Sequence, residues 1–296
     1  MPTQSPVNQS SLLQSGEPSQ SALRVAIARA AHQLLDEPIV LDDPVALPIL
    51  GRATEQAVRE DPFQFNDPPR RFMRAALVAR SMLAEDELRR SLQEGVKQYV
   101  VLGAGLDTFA VRNPYKASGL RVFEVDHPAT QRWKRATLAE ASIGIPESTV
   151  FVAVDFEKDS LAQELEKAGF RFDVPACFSW LGVSVYLSST AVLETLRFVA
   201  SLARGSSITF DYRLPASMLN PLERMMQEHM GNMFAEMGEP WKSSFEPAEL
   251  QQKLKELGFS TVENFDAPEL NARYFHRRKD GLQTGGGGFR FMCARV

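Results

Sequence analysis

The chain has 296 residues, of which 44% are hydrophobic and 24% charged, and its formal net charge is −4. This balance is typical of a globular protein and lacks the basic excess with which proteins bind nucleic-acid phosphates. No apolar run approaches the roughly 20 residues that cross a bilayer, and the N-terminus has no signal-peptide pattern. We therefore expect a cytoplasmic protein with no nucleic-acid or membrane partner. Cys177 and Cys293 are expected to be buried free thiols, and no metal site is expected.

The N-terminal third is predicted to be helical. Residues 1–20 are rich in Ser, Gln and Pro and are expected to form a disordered tail. Residues 21–35 carry apolar side chains at spacings of three to four, which indicates an amphipathic helix. The stretch "LDDPVALPILG" suggests a short helix capped by Asp42 or Asp43. Another helix is predicted over 69–95.

From Val96 onward, short apolar runs alternate with segments of helical period. The runs are "QYVVL", "LRVFEV", "TVFVAV", "PACFSWL" and "SSITFDY", with two weaker ones, "FSTVENF" and "FRFMCARV". This alternation indicates a parallel sheet covered on both faces, a Rossmann-like, doubly wound α/β fold with seven strands. A methionine-rich helical insertion is predicted over about 216–257, either as packing or as a flexible wall around an apolar substrate. We expect one domain over 21–296, with a helical cap layer (21–95) before the sheet core (96–296).

The first strand ends in the glycine-rich stretch "VVLGAGLDT", which lies beside the ligand crevice of a doubly wound sheet. Thr108 stands where a dinucleotide fingerprint has a third Gly or Ala, and no P-loop Gly-Lys follows. Asp107 would repel a phosphate and attract an amine. The loop of Gly103, Ala104 and Gly105 is therefore predicted to bind S-adenosylmethionine, which has no phosphate and carries an ammonium and a sulfonium.

Acidic residues also end the next two strands. Asp126, 21 residues after Gly105, is predicted to accept hydrogen bonds from the ribose hydroxyls, assisted by Glu124; a helix N-cap is the alternative for Asp126. Asp155 is predicted to accept from the adenine amine. The Phe156 backbone N–H is expected to donate to a ring nitrogen while its ring packs on the base. NAD-binding proteins also carry an acidic residue that binds the ribose, so an NAD-type oxidoreductase is the alternative function.

Six stretches together resemble the leucine carboxyl methyltransferase-like family, which includes the bacterial polyketide-type O-methyltransferases. They are "RSMLAEDEL", "YVVLGAGLDTFAVRNP", "FEVDHPATQRWKRATL", "VAVDFEKDSL", "FSWLGVSVYLSSTAV" and "ITFDYRLP". The resemblance implies that Arg80 binds the methionyl carboxylate of the cofactor, consistent with the bidentate geometry of a guanidinium. It also implies that Gly103 contacts the methionyl part, Asp126 the ribose, and Asp155 with Phe156 the adenine.

The chain departs from that family at Leu181, where the protein-methylating members carry an acidic residue. The departure favours a small-molecule acceptor, an aromatic or polyketide-type secondary metabolite methylated on a carboxylate or hydroxyl. A protein C-terminal carboxylate as substrate and a non-catalytic partner-binding module remain the alternatives. His127 follows the ribose acid; it is counted among the cofactor-binding residues and is also expected to cap a helix.

The acceptor site is predicted from Tyr186, Tyr212 and Arg213, at the ends of the fourth and fifth strands. Arg213 is expected to orient an anionic acceptor and Tyr186 or Tyr212 to hydrogen-bond it, with strand-end packing as the alternative. A carboxylate acceptor needs no base, whereas a phenol or alcohol does. His32 and His229 are the candidate bases, although a structural role is the commoner one for a lone histidine. The sequence predicts neither the acceptor's identity nor the oligomeric state.

Overall fold

Seven strands and ten α-helices make up the part of the chain that the computed structural model describes, residues 19–156, 158–286 and 288–296. The tail predicted over 1–20 lies almost entirely outside these residues. In chain order the strands are β1 (Gln98–Leu102), β2 (Arg121–Asp126), β3 (Thr149–Ala153), β4 (Cys177–Trp180), β5 (Ser207–Arg213), β6 (Thr261–Phe265) and β7 (Phe289–Arg295).

The helices lie before, between and after these strands, and none in the described residues is long and apolar enough to cross a bilayer. They are α1 (Gln20–Leu35), α2 (Arg52–Glu60), α3 (Pro68–Gln93), α4 (Phe109–Arg112), α5 (Pro128–Glu140), α6 (Leu161–Lys167), α7 (Ser189–Ala200), α8 (Pro221–Glu236), α9 (Pro247–Leu257) and α10 (Ala267–Tyr274). The short helix predicted in "LDDPVALPILG" is wrong: the segment forms a turn, in which Asp43 accepts from the Val45 N–H, and the 3₁₀ turn Pro48–Leu50.

The strand order is β3-β2-β1-β4-β5-β7-β6, which confirms the doubly wound seven-stranded sheet. The order reverses at β1, which pairs with β2 on one side and β4 on the other. The predicted parallel arrangement holds for β1 to β6, whereas β7 runs antiparallel to both β5 and β6. The chain returns from the carboxyl end of β6 and enters β7 at that same end, so no crossover to the opposite edge is needed.

β5 shows how one strand serves two environments. Ile208, Phe210 and Tyr212 belong to the main hydrophobic core on one face of the sheet. Because side chains alternate along a strand, Thr209 and Asp211 point to the other face, which packs against α3. Asp211 is only 2% exposed there, so its charge needs partners within the protein.

The cap layer rests on the loop that follows β1. Ala26 and Ala30 of α1 pack in one apolar cluster with Leu106 of that loop and Leu138 of α5. Helix α1 also packs along α3. The small alanine side chains let α1 approach the loop closely, which places its first turns over the carboxyl end of the sheet.

Glu124 and Lys134 form a buried ion pair between β2 and α5. Each residue is 1% exposed, and Lys134 Nζ lies 2.7 and 2.6 Å from the two carboxylate oxygens. Burial raises the pKa of Glu124 to about 7, and Lys134 acts against that rise. Glu124 was expected to assist Asp126 in binding the ribose, but its carboxylate is instead paired with Lys134.

Replacing Lys134 by Met should destabilise the fold by about 3–5 kcal/mol at pH 8, because it leaves a buried carboxylate without a partner. The folded-state pKa of Glu124 lies above its unfolded value. Removing Lys134 raises it further, so the loss of stability grows as the pH rises through the folded pKa of about 7 and disappears below it, where the carboxyl is protonated in both proteins. Denaturant unfolding of K134M between pH 5 and pH 8 measures this.

Lys167→Met is the matched control, since Lys167 pairs with Glu164 in solvent and its loss should change stability little at any pH. The double variant E124Q/K134M should recover stability at pH 8. Equal pH dependence in K134M and K167M would contradict the buried-pair account.

Candidate functional site

A cavity of about 1150 Å³ opens at the carboxyl ends of the central strands. Its floor includes the ends of β1, β2 and β5 and the segments that follow β3 and β4, and its roof includes α1, α3 and α8. Pockets for one small molecule measure roughly 300–1,000 Å³. The cavity is therefore large enough for two ligands side by side.

All nine residues predicted to bind the cofactor line this cavity. They come from α3, from the ends of three strands and from the loops after them, so the fold brings together what the sequence spreads over 77 positions. They are Arg80, Gly103, Ala104, Gly105, Asp107, Asp126, His127, Asp155 and Phe156. Their contact with a cofactor stays a prediction.

The glycine loop is built for close approach. Gly103 has φ +65°, and a Cβ there would lie 2.3 Å from Val183 Cγ2, so a side chain would force the loop or the β4 segment to move. Gly105 has φ +47°, and its Cβ would lie 3.0 Å from Ala22 Cβ of α1. Only glycine combines these backbone angles with this spacing.

Asp126 closes the loop from the neighbouring strand. Its Oδ2 accepts from the Gly105 N–H at 2.5 Å and its Oδ1 from the His127 N–H at 2.6 Å. Burial raises its pKa, and these two backbone hydrogen bonds act to lower it. The helix cap that was the alternative role for Asp126 falls to His127, whose Nδ1 accepts from the Ala129 N–H at the start of α5. Each carboxylate oxygen of Asp126 keeps a lone pair for a further donor.

Asp107 places a second carboxylate on the cavity wall, with a quarter of its side chain exposed. Its Oδ1 accepts from the Phe109 N–H, and Arg29 Nη1 lies 4.0 Å from its Oδ2. Burial acts to raise its pKa, but Arg29, Lys134 and Arg112 outweigh this and hold it below the usual value. The carboxyl is therefore ionised at neutral pH, which disfavours a phosphate beside the loop.

Asp155 and Phe156, which follow β3, also line the cavity. Asp155 Oδ2 pairs with Lys158 Nζ at 2.6 Å, and its backbone N–H donates to Asp159. Phe156 packs against the main core while also lining the cavity. The position predicted to bind the adenine thus has a carboxylate and an aromatic ring on the cavity wall.

The predicted acceptor residues separate. Tyr186 lines the cavity, but Tyr212 and Arg213 do not. Tyr212 is fully buried and its hydroxyl donates to Asn264 Oδ1, because strand alternation turns it into the core. Arg213 donates to the Ser243 carbonyl and lies 5.6 Å from the centre of the Trp241 ring, one side chain behind the cavity wall. The expectation that both residues point into the mouth is wrong.

Neither histidine considered as a base lines the cavity. His32 is fully buried; its Nδ1 lies 2.8 Å from Asp36, and its Nε2 accepts from the backbone of Val40 and Leu41. His229 lies on the exposed side of α8. The structural alternative therefore holds for His32.

Glu239, which the sequence reasoning missed, fastens the first turn of α1. This carboxylate is 4% exposed and accepts from the Ser19 hydroxyl and from the backbone N–H groups of Gln20 and Ser21, at 2.9 to 3.2 Å. It neutralises the positive end of the helix dipole. These partners are about 220 positions apart in the chain, so no local pattern signals them.

Comparisons with known proteins agree with one another. The family model described as leucine carboxyl methyltransferase matches residues 22–200. A Bacillus subtilis protein named "Putative S-adenosyl-L-methionine-dependent methyltransferase YktD" is 34% identical over 293 residues, covering 92% of this chain and 96% of its own. A Mycobacterium avium protein with the same description is 31% identical, covering 72% of each chain. The crystal structure of a "putative methyltransferase" from Thermobifida fusca shares the fold with a TM-score of 0.57 at 18% identity, covering 96% of both chains.

Gly103→Ala should weaken the binding of S-adenosylhomocysteine by at least about tenfold, because the added Cβ meets Val183 and the left-handed backbone strains an L side chain. Isothermal titration calorimetry measures this. Gly119→Ala is the matched control: its φ is +76° but nothing lies within 4 Å of the added Cβ. It should cost stability alone, so equal affinity losses in the two variants would contradict the role given to the loop.

Proposed function

Because the chain belongs to the leucine carboxyl methyltransferase family and is an S-adenosylmethionine-dependent methyltransferase, we propose that it methylates an oxygen of a small, largely apolar acceptor. The acceptor oxygen belongs to a carboxylate, which is already ionised, or to a hydroxyl that loses its proton to solvent, and the acceptor is of the aromatic or polyketide type. The observation that carries this proposal is the lining of the cavity, which includes methionine and aromatic side chains on the side of α8 as well as the polar strand ends. We call the part lined by these apolar side chains the acceptor compartment.

The residues at the strand ends fit the cofactor in chemistry and in space. Gly103 lets the loop backbone pass against Val183, where a Cβ would collide, and the loop still lines the cavity. Asp126 and Asp155 supply acceptors for hydroxyl and amine donors, and Arg80 supplies a cation for a carboxylate. Asp107 adds a negative charge on the same wall, which suits a ligand with ammonium and sulfonium groups.

When bound, S-adenosylmethionine supplies a sulfonium-bound methyl group that an acceptor oxygen takes by in-line displacement. What this chain's residues supply is placement: the acceptor oxygen must be held about 3 Å from its target and in line with it. The first turns of α1 cover the glycine loop, with Ala22 against Gly105.

The acceptor compartment has the character of an apolar binding site. Its wall on the side of α8 is flexible and polarizable where methionines line it and rigid where aromatic rings do. Trp241 stacks on Phe234 at 5.5 Å and meets Phe289 edge-on at 5.4 Å. The side chains that form this wall are Met226, Met230, Met233, Phe234, Trp241 and Phe289. An aromatic or extended apolar acceptor fits such a wall better than a charged peptide.

Tyr186 is the polar group best suited to hold the acceptor oxygen. It lines the cavity, and its ring meets Phe234 edge-on at 6.2 Å. Burial raises its pKa to about 12, so the phenol keeps its proton at neutral pH. It therefore acts as a hydrogen-bond donor and not as a general base.

The proposal is tested by incubating the protein with S-adenosylmethionine labelled in the methyl group and a panel of aromatic acids, phenols and polyketide intermediates. Label transferred to a panel member supports the proposal, and alkaline treatment then separates the two chemistries, since methyl esters hydrolyse and aryl ethers persist. Label appearing only in peptides with a free C-terminal carboxylate would overturn the small-molecule acceptor. S-adenosylhomocysteine binding with no acceptor labelled would instead favour a non-catalytic binding module.

Tyr186→Phe should lower kcat/KM for the acceptor by about three- to tenfold, the worth of one neutral hydrogen bond, and leave the affinity for S-adenosylhomocysteine unchanged. Tyr212→Phe is the matched control, because that hydroxyl is bound to Asn264 away from the cavity. It should change thermal stability alone. Equal kinetic losses in the two variants would contradict the assignment of Tyr186.

A further inference from the structure

We propose that Asp211 is a positioning residue for the cofactor: it holds the Arg80 guanidinium with its terminal edge against Gly182, so that the remaining N–H groups of Arg80 face the methionyl carboxylate. The inference rests on the proposed binding of the cofactor in this cavity. It assigns a role to Asp211 and Gly182, to which neither the motifs nor the family resemblance drew attention.

Asp211 ties three separate elements together. Its Oδ2 accepts from Arg80 Nη1 of α3 at 2.8 Å, and its Oδ1 accepts from the Gly182 N–H in the segment after β4 at 2.7 Å. Its own backbone carbonyl accepts from the Ser184 hydroxyl at 2.6 Å. Both carboxylate oxygens and the carbonyl are thus engaged, which fixes the rotamer of a side chain that is 3% exposed.

Gly182 leaves free the space that the terminal nitrogens of the guanidinium approach. Its φ is +72°, and a Cβ built on it would lie 2.9 Å from both Nη1 and Nη2 of Arg80 and 3.3 Å from Cζ. Equal distances to the two terminal nitrogens, both shorter than the distance to Cζ, mean that the terminal edge of the guanidinium faces the position of this Cβ. Any side chain at position 182 would displace it.

This arrangement leaves the other side of Arg80 for a ligand. Within the described residues its one hydrogen bond to the protein is that from Nη1 to Asp211, although a guanidinium carries five N–H donors. The Arg80 side chain is 12% exposed, and the cavity is the space onto which it opens. A carboxylate can accept two parallel hydrogen bonds from such a fork.

Asp211 does not take the place of that ligand. One of its oxygens is committed to the Gly182 N–H, so it meets Arg80 through a single nitrogen and not as a bidentate partner. It holds a flexible arginine in one rotamer before the cofactor arrives, which removes an ordering cost from binding. A long side chain without this anchor would have to be ordered by the ligand itself.

The test compares two ligands that differ in their amino-acid part. S-adenosylhomocysteine carries the ammonium and the carboxylate of homocysteine, whereas 5′-methylthioadenosine has the adenosine and the thioether without them. In Asp211→Asn, calorimetry should show the affinity for S-adenosylhomocysteine falling by about ten- to hundredfold, the worth of a charged hydrogen bond. The affinity for 5′-methylthioadenosine should stay within about twofold, a split that a general loss of structure would not produce.

Gly182→Ala provides a second, independent route to the same prediction, since the added Cβ displaces the guanidinium without changing charge. Glu87→Gln is the matched control: it breaks another buried pair, with Arg295 at 2.6 Å, between α3 and β7 and outside the cavity. It should lower stability and leave the ratio of the two affinities unchanged. If D211N fails to fold, the affinity ratio in G182A decides.

Two results would overturn the inference while leaving the proposed function intact. One is an unchanged affinity ratio in both D211N and G182A. The other is tighter binding of S-adenosylhomocysteine by D211N, which would mean that Asp211 competes with the ligand for Arg80. Failure of the unaltered protein to bind either ligand contradicts the proposed function instead, and the inference with it.

Discussion

The reversal of strand order at β1 is the constraint on which the rest of the site depends. Because β2 and β4 leave β1 in opposite directions, the segments after these strands splay apart and open a crevice at their carboxyl ends. A carboxylate at the end of an otherwise apolar strand must find its partners in that crevice. Asp126 is satisfied by backbone N–H groups of its neighbours, and Asp211 by Arg80 and Gly182. The same contacts therefore complete the fold and shape the site.

Residues at strand ends could be predicted from the sequence, because a carboxylate that follows an apolar run has to leave the core. Asp126 and Asp155 stood out for that reason, and the glycines before them marked the close backbone. The error at Tyr212 and Arg213 came from treating both as strand-end residues. Period-two alternation sends Tyr212 into the core, and it also singles out Asp211 as an acid on the α3 side of an apolar strand.

Contacts between residues that are far apart in the chain could not be predicted from the sequence. The clamp of Glu239 on α1 and the pairing of Asp211 with Arg80 join segments 218 and 131 positions apart. The antiparallel run of β7 depends likewise on where the chain re-enters the sheet, between β5 and β6. Such features follow from the complete packing and carry no signature in composition or spacing. The family resemblance supplied the role of Arg80 but not the residue that orients it.

The two walls of the cavity differ in how far they are tied to the fold. The wall proposed for the cofactor consists of strand ends and the loops after them, where carboxylates hold loop backbone in place, so substitution there endangers folding. The opposite wall comes largely from α8. All residues of this helix are described, and Gln227 is its one buried side chain. Its methionines lie toward solvent or the cavity. Mutations in that helix alter the acceptor's surroundings at little cost to the core. A lineage of such enzymes can thus acquire new acceptors through one surface helix while the methyl-donor half stays constant.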